Sequence, residues 1–201
     1  MSYILAIADS PSHPSKTYGR MEYVSTFLQQ KGLETDVISV RDLPAEDLIY
    51  GRYDSPSLLQ PKALLDAADG VIFATPISKA AYTGVLKAFL DLLPQKALSG
   101  KVVLPIATGA IAHTLAVDYT LKPVLSELGA RHLLGSIYVI DKKIKLQVDG
   151  SVQLDEEIEQ GLKNALSEFV QAVNWDQPVF KELAHANKVA LLTSFCLWQM
   201  G

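Results

Sequence analysis

Ala74-Thr75-Pro76-Ile77-Ser78-Lys79-Ala80-Ala81-Tyr82-Thr83-Gly84 lies where an apolar run, Val71-Ile72-Phe73-Ala74, breaks at a proline and a helical pattern restarts from Val85 to Leu93. A proline cannot donate to a ladder and pushes its predecessor toward extended geometry. Thr75-Pro76 therefore ends a buried strand at the rim of a sheet. Rims of parallel sheets are where ligands are held.

Working outward, Tyr3-Ile4-Leu5-Ala6-Ile7-Ala8 is a continuous apolar run bounded by Asp9-Ser10-Pro11, the mark of a strand buried on both faces. A loop of hydroxyls and prolines follows. Tyr18, Met21, Val24, Phe27 and Leu28 then recur at helical spacing until Gly32. Thr35 to Val40 predicts a second strand, Ala45 to Pro56 a polar connection with Tyr50, Arg52 and Tyr53, and Leu58 to Ala68 a helix. Gly70 to Thr75 is strand three. Lys101 to Ala107 is strand four despite Pro105, and Thr108-Gly109-Ala110 is the turn after it. Ile111 to Leu128 predicts a long helix perturbed at Pro123 and stopped by Gly129. Arg131 to Ile140 is strand five, Lys142 to Val152 a hairpin excursion around Asp149-Gly150, and Leu154 to Val173 the last helix. Strands alternating with helices predict an α/β, doubly wound, five-stranded parallel sheet in the order 2-1-3-4-5 with helices on both faces. That order makes the loops after strands 1, 3 and 4 neighbours at the carboxyl edge. Ser10 to Thr17, Pro76 to Tyr82 and Thr108 to Ala110 then line one crevice.

The chain has 201 residues, 49% of them hydrophobic and 20% charged, which suits one globular domain. A net charge of −4 and a pI near 5.5 supply no basic field for a nucleic-acid backbone. One cysteine, Cys196, agrees with a reducing compartment, so the cytoplasm is the expected location. Met1-Ser2-Tyr3-Ile4 carries no basic n-region or cleavage signal. The apolar stretch Val189 to Met200 falls short of the roughly 20 residues a membrane span needs, and a soluble protein is expected.

The first loop has neither the Gly-x-Gly-x-x-Gly pattern nor the Walker lysine motif. It offers Ser10, Ser12, Ser15 and Thr17, whose hydroxyls, with backbone N–H groups at a helix start, suit one phosphate. Taken alone, the loop is better explained by a simple helix cap at Ser15 or Thr17. In the second loop, Pro76, Ile77, Ala80, Ala81 and Tyr82 offer a surface for a flat heteroaromatic ring, or ordinary packing. Thr108-Gly109-Ala110 lets backbone N–H groups approach a ring carbonyl, or serves only the turn. Paired carboxylates, a metal-spaced His/Cys cluster and a serine elbow are all missing from the sequence. Such loops suit a cofactor that carries the reaction while the protein positions it, with no metal. His13 could assist a phosphate, and His113 could face the crevice, but a surface or hydrogen-bonded imidazole is the better reading of His113. His132, His185 and Cys196 carry no motif, and Tyr119 reads as a packing or interface residue rather than an acid.

Glu46-Asp47-Leu48-Ile49-Tyr50-Gly51-Arg52-Tyr53-Asp54-Ser55-Pro56, Ala74 to Gly84, Gly100-Lys101-Val102-Val103-Leu104-Pro105-Ile106-Ala107-Thr108-Gly109 and Ala116-Val117-Asp118-Tyr119 together resemble the NADPH-dependent FMN reductases of the flavodoxin-like superfamily, specifically those of alkanesulfonate assimilation. The similarity runs nearly collinearly from strand one to about Val173. It implies a domain over residues 1–174 that reduces FMN with NADPH and releases FMNH2 to a partner monooxygenase, which desulfonates alkanesulfonates. It also implies a homo-oligomer, dimer or tetramer, with Tyr119 in a π-helical bulge at a subunit interface near the flavin. A one-residue insertion of that kind is commonly functional. The cofactor-binding set is then Ser10, Ser12, Ser15, Lys16, Thr17, Pro76, Ile77, Ser78, Lys79, Ala81, Tyr82, Thr108, Gly109 and Ala110. No side chain is assigned a catalytic role.

The chain departs from the family pattern in three places. Asp9-Ser10-Pro11-Ser12 stands where the family has Gly-Ser-x-Arg, so a carboxylate that repels phosphate replaces a glycine and a guanidinium is lost, with Lys16 as a partial substitute. Pro76-Ile77-Ser78 stands where the family has Pro-Val-Tyr, removing an aromatic contact at Ser78. Residues 175–201 fall outside the pattern, and their apolar run needs a partner surface. The first two changes weaken flavin retention without removing hydride transfer. Two alternatives accompany the reductase: a flavodoxin-fold quinone, azo or metal reductase with tightly bound FMN, and a non-catalytic flavin-binding protein.

Overall fold

A computed structural model of the chain describes residues 1–10, 15–110, 114–147 and 151–175. The sheet is built on β1 (Tyr3–Ala8), β2 (Glu34–Ser39), β3 (Gly70–Pro76) and β4 (Val102–Gly109), all parallel, in the order β2-β1-β3-β4. β1 from Ile4 to Ala8 and β3 from Val71 to Ala74 are apolar because both their faces are covered. Leu5, Ile7, Val71, Phe73 and Val103 point into one core, with α3 (Leu59–Ala67) and α4 (Gly84–Asp91) over them. Ile4, Ala6, Ala8, Ile72, Ala74, Leu104 and Ile106 point into the other. That second core is closed by α1 (Lys16–Gln30) and the helix over residues 156–175, which becomes α7 below. The fit under β3 is close: a Cβ on Gly70 would stand 2.6 Å from Phe169 Cζ.

The expected five-strand order is present, and its outer strand differs from the expectation. Instead of one strand over Arg131 to Ile140, β4 is flanked by β5 (His132–Leu133) and β6 (Ile137–Ile140). The pairing offset is 30 for Val102 with His132 and 31 for Ile106 with Ile137, so one extra residue is inserted between them. The insertion falls opposite Leu104-Pro105, where the proline has no N–H to give, and a bulge accommodates the missing donor.

Other boundaries moved for local reasons. Ala45 to Pro56 is not all connection, since Ala45–Ile49 form a short helix, α2, with Glu46 and Asp47 in its first turn. Thr108 and Gly109 belong to β4 rather than to a turn, because Val139 and Ile140 extend the ladder beside them. The helix expected over 111–128 runs as α5 (Thr114–Ala116), a π-helical turn over Val117–Leu121, and α6 (Lys122–Glu127). Lys122 N–H donates to Val117 O, five residues back, and Pro123 has no N–H for the Tyr119 carbonyl. Gly129 then turns the chain at φ +93°. The expected hairpin pairs β7 (Ile144–Leu146) antiparallel with β8 (Val152–Leu154), and α7 follows. Among the described residues, no helix is long and apolar enough to cross a membrane.

Candidate functional site

Seven of the nine buried polar side chains among the described residues (Asp9, Ser10, Ser15, Thr17, Arg20, Thr75 and Thr108) gather at the carboxyl edge of the sheet. Buried polar groups destabilise a fold unless they are paired, so such a concentration marks a built site.

The first loop leaves the sheet at Asp9, whose N–H donates to Ala74 O at 3.0 Å and extends the β1 ladder by one residue. The Asp9 carboxylate is fully buried and accepts from Thr75 Oγ1 at 2.6 Å and from Thr83 Oγ1 at 2.6 and 2.7 Å. Thr83 is also the N-cap of α4, accepting from Leu86 N–H at 3.1 Å. Burial pushes the Asp9 pKa up to about 6 against the pull of the two hydroxyl donors. The acid expected to repel a phosphate is turned instead toward the second loop. It fastens that loop at its entry, Thr75, and at its exit, Thr83.

Between those anchors, Ser78 N–H donates to Ala81 O at 2.8 Å and Ala81 N–H to Ser78 O at 3.2 Å. Lys79 and Ala80 close this two-residue turn at φ 52° and 62°, a backbone ordinarily given to Asn and Gly. Strain of this kind collects at ligand sites. Ile77 and Tyr82 pack back on the core, and burial raises the Tyr82 phenol above its ordinary pKa.

The third loop meets the second directly. Pro76 is registered with Thr108, and Ile77 N–H donates to Thr108 O at 2.7 Å. Gly109 is buried at the end of β4 and Ala110 is exposed just beyond it. Thr108 Oγ1 accepts from Nη2 of Arg20, which reaches it from α1. Arg20 is wholly buried, and its Nε and Nη1 have no hydrogen-bond partner among the described residues. Burial draws its pKa down to about 10, partly offset by the attraction of Asp141.

At the start of α1, Ser15 Oγ accepts from the N–H groups of Thr17 and Tyr18, both at 3.2 Å, and is the N-cap. Lys16 Nζ donates to Asp141 O at 2.9 Å, tying α1 to the segment after β6. Beside this start, Ala8, Ser10, Ser15, Tyr18, Ser39, Arg41 and Asp42 line a cavity of about 200 Å³. Ser12, His13 and His113 lie outside the described residues. Tyr119 sits in the π-turn, 77% exposed.

The structure thus brings the ends of the second and third loops into contact and sets the start of α1 beside them. Sequence reasoning passed over Thr75, Thr83 and Arg20. Thr75 read only as the end of a strand and Thr83 carried no reading, whereas the polar Arg20 one residue before Met21 on the buried face of α1 was a visible anomaly. The guanidinium at this edge, with Nε and Nη1 unspent among the described residues, fits a group bearing a phosphate, and the flat turn with its apolar residues fits a ring.

A sequence profile of the family described as "NADPH-dependent FMN reductase" matches residues 2–145. The chain is 44% identical over 169 residues to an FMN reductase (NADPH) of Pseudomonas putida, covering 83% of this chain and 85% of that one. It is 42% identical over 172 residues to an FMN reductase (NADPH) of Escherichia coli, covering 85% and 90%. Among solved structures, the apo form of an NADH:FMN oxidoreductase superposes with a TM-score of 0.76 at 38% identity, covering 86% of this chain and 90% of that one. With the flavodoxin-like strand order and the three-loop edge already in place, these matches assign the chain to its family: it belongs to the NADPH-dependent FMN reductases.

Proposed function

We propose that this protein takes hydride from NADPH onto FMN and supplies the FMNH2 to a partner monooxygenase that desulfonates alkanesulfonates. Bound FMN supplies the hydride-accepting ring. The chain's own work is to hold it: the 10–17 loop at the phosphate end, Pro76 to Tyr82 against the ring, and Thr108 to Ala110 at the pyrimidine side. The Asp9–Thr75–Thr83 cluster sets the second loop before ligand arrives, so less ordering is required on binding.

The observation that carries the two-component reading is the π-turn over Val117–Leu121. It leaves Leu115 and Tyr119 exposed at 64% and 77% on one short helical stretch beyond β4. Apolar side chains presented in this way suit burial against another copy, and the working form is a homo-oligomer, dimer or tetramer, in the cytoplasm. Residues 175–201 are assigned outside the flavodoxin-like domain of residues 1–174, and residues 176–201 lie outside the described residues.

The test follows absorbance at the NADPH band with FMN, riboflavin or a quinone added to purified protein. Oxidation that rises with added FMN is expected. Loss of NADPH only when a quinone is present, by a protein purified yellow, would favour a reductase with resident flavin. Absence of any flavin-dependent oxidation would overturn the proposal.

A further inference from the structure

We propose that Arg20, in the second turn of α1, is the cation that binds the phosphate monoester of the flavin. The assignment rests on the FMN reductase reading and names the residue behind its phosphate selectivity.

Arg20 stands on a helix face otherwise made of Met21, Val24 and Leu28, packed on the sheet. A guanidinium there is taken out of water, and one left without its anion destabilises a fold by several kcal/mol. It has five N–H donors. One N–H of Nη2 is spent on Thr108 Oγ1, while Nε and Nη1 have no partner among the described residues. The attraction from Asp141 reaches it without a hydrogen bond to either of them. Nη2 carries a second N–H, and that donor forms an edge with either Nε or Nη1 that takes two oxygens of a phosphate or carboxylate side by side.

The direction of the side chain places that edge. Helical side chains lean toward the N-terminus, so Arg20 runs up toward the start of α1. Its far end is fixed at Thr108, which is registered with Pro76 at the carboxyl edge. The head therefore lies between the start of α1 and the end of β4. Lys16 is the only lysine or arginine from Ser10 to Thr17, and its ammonium is turned to the Asp141 carbonyl. Arg41 lines the cavity with Ser10 and Ser15 but stands 3.9 Å from the Asp42 carboxylate, so among the described residues Arg20 is the buried cation with donors unspent between α1 and β4.

The test compares dissociation constants for FMN and riboflavin, read by flavin fluorescence, in the wild-type protein, Arg20→Met and Arg20→Lys. Methionine keeps much of the length and removes the charge. FMN binding is expected to weaken about 10- to 100-fold in Arg20→Met, the range of a charged hydrogen bond, with riboflavin changed less than about twofold. Arg20→Lys restores the charge but not the paired geometry, and its FMN-to-riboflavin ratio is expected to lie between the other two. Inorganic phosphate should compete with FMN in the wild-type protein and not with riboflavin. Equal weakening for both flavins, or an unchanged ratio in folded Arg20→Met, overturns the assignment. Should Arg20→Met fail to fold, an unchanged ratio in Arg20→Lys does so. NADPH oxidation by the wild-type protein separates the two readings. FMN-dependent turnover with an unaltered binding ratio in the variants overturns the role of Arg20 alone, whereas absent turnover overturns the reductase.

Discussion

Thr75 Oγ1, one residue before the end of β3, donates a 2.6 Å hydrogen bond to the carboxylate of Asp9, one residue past the end of β1. Thr83 joins the same carboxylate from the cap of α4, so one acid closes both ends of the turn that carries Ser78 to Tyr82. In a position where a carboxylate looked like an obstacle to anion binding, its acceptor capacity is used to fix the neighbouring loop.

That cluster makes stability depend on pH. The Asp9 pKa is about 6 in the fold, against an ordinary 3.8, so the raised value lies on the folded side. Between these limits the native chain keeps a proton that the unfolded chain has released. The stabilisation is complete below about pH 4 and is lost as pH rises through about 6, by at most about 3 kcal/mol. The expected result is that wild-type protein loses stability relative to Asp9→Asn between pH 4.5 and pH 7. Urea unfolding of both proteins at the two pH values checks it, since the difference cancels groups common to both. A parallel pH dependence for the two proteins would count against the buried acid.

Removing the carboxylate altogether tests its positioning role. Asp9→Ala strands two threonine hydroxyls, and a loss of about 2–4 kcal/mol is expected. Because the loop it fastens serves the ring rather than the phosphate, the Michaelis constants for FMN and riboflavin should rise together. This separates Asp9 from Arg20, whose removal is expected to discriminate between them.

Ser15 and Ser10 are predicted to divide along similar lines. Ser15 Oγ is engaged by Thr17 and Tyr18 N–H groups, so Ser15→Ala should lower stability by about 1 kcal/mol through loss of the cap. Ser10→Ala is expected to raise the Michaelis constant for FMN more than for riboflavin. Thermal unfolding and steady-state kinetics with the two flavins distinguish the cases.

Tyr119 gives a prediction about assembly. Its exposure means that Tyr119→Ala should change the unfolding free energy of the isolated chain by no more than about 0.5 kcal/mol. In an oligomer that buries this turn, the same substitution is expected to shift the population toward smaller species. Light scattering across a dilution series reads the shift.

The legible part of this fold was the part set by apolar runs. β1 and β3 are buried on both faces, so Ile4 to Ala8 and Val71 to Ala74 announced themselves, and the crossover rule then ordered the sheet. The outer strand was less legible because its break answers Pro105 on its neighbour, a pairing between residues about thirty apart in sequence. At the site, the loops were placed by topology, but the use of Asp9 depends on two hydroxyls 66 and 74 residues away. The π-turn stood between these cases. Pro123 signalled a perturbed helix, while the i−5 register of Lys122 came only from the resemblance and then from the structure.

The turn fastened by Asp9 holds its own strain, and Ala80 is the place to measure it. Ala80 adopts φ 62°, where a Cβ crowds the following carbonyl by about 1–2 kcal/mol and glycine has no such contact. Glycine gives back about 0.5–1 kcal/mol through the greater freedom of the unfolded chain. Ala80→Gly is therefore expected to stabilise the protein by about 0.5–1 kcal/mol in urea unfolding. Function should respond in the opposite direction, because the methyl group belongs to the loop assigned to the ring and the more pliant turn must be ordered again on binding. A modest rise in the Michaelis constants for FMN and riboflavin alike, in a more stable protein, is the expected pair of results. Lower stability in Ala80→Gly would mean that the turn is unstrained and that Asp9 has no tension to hold.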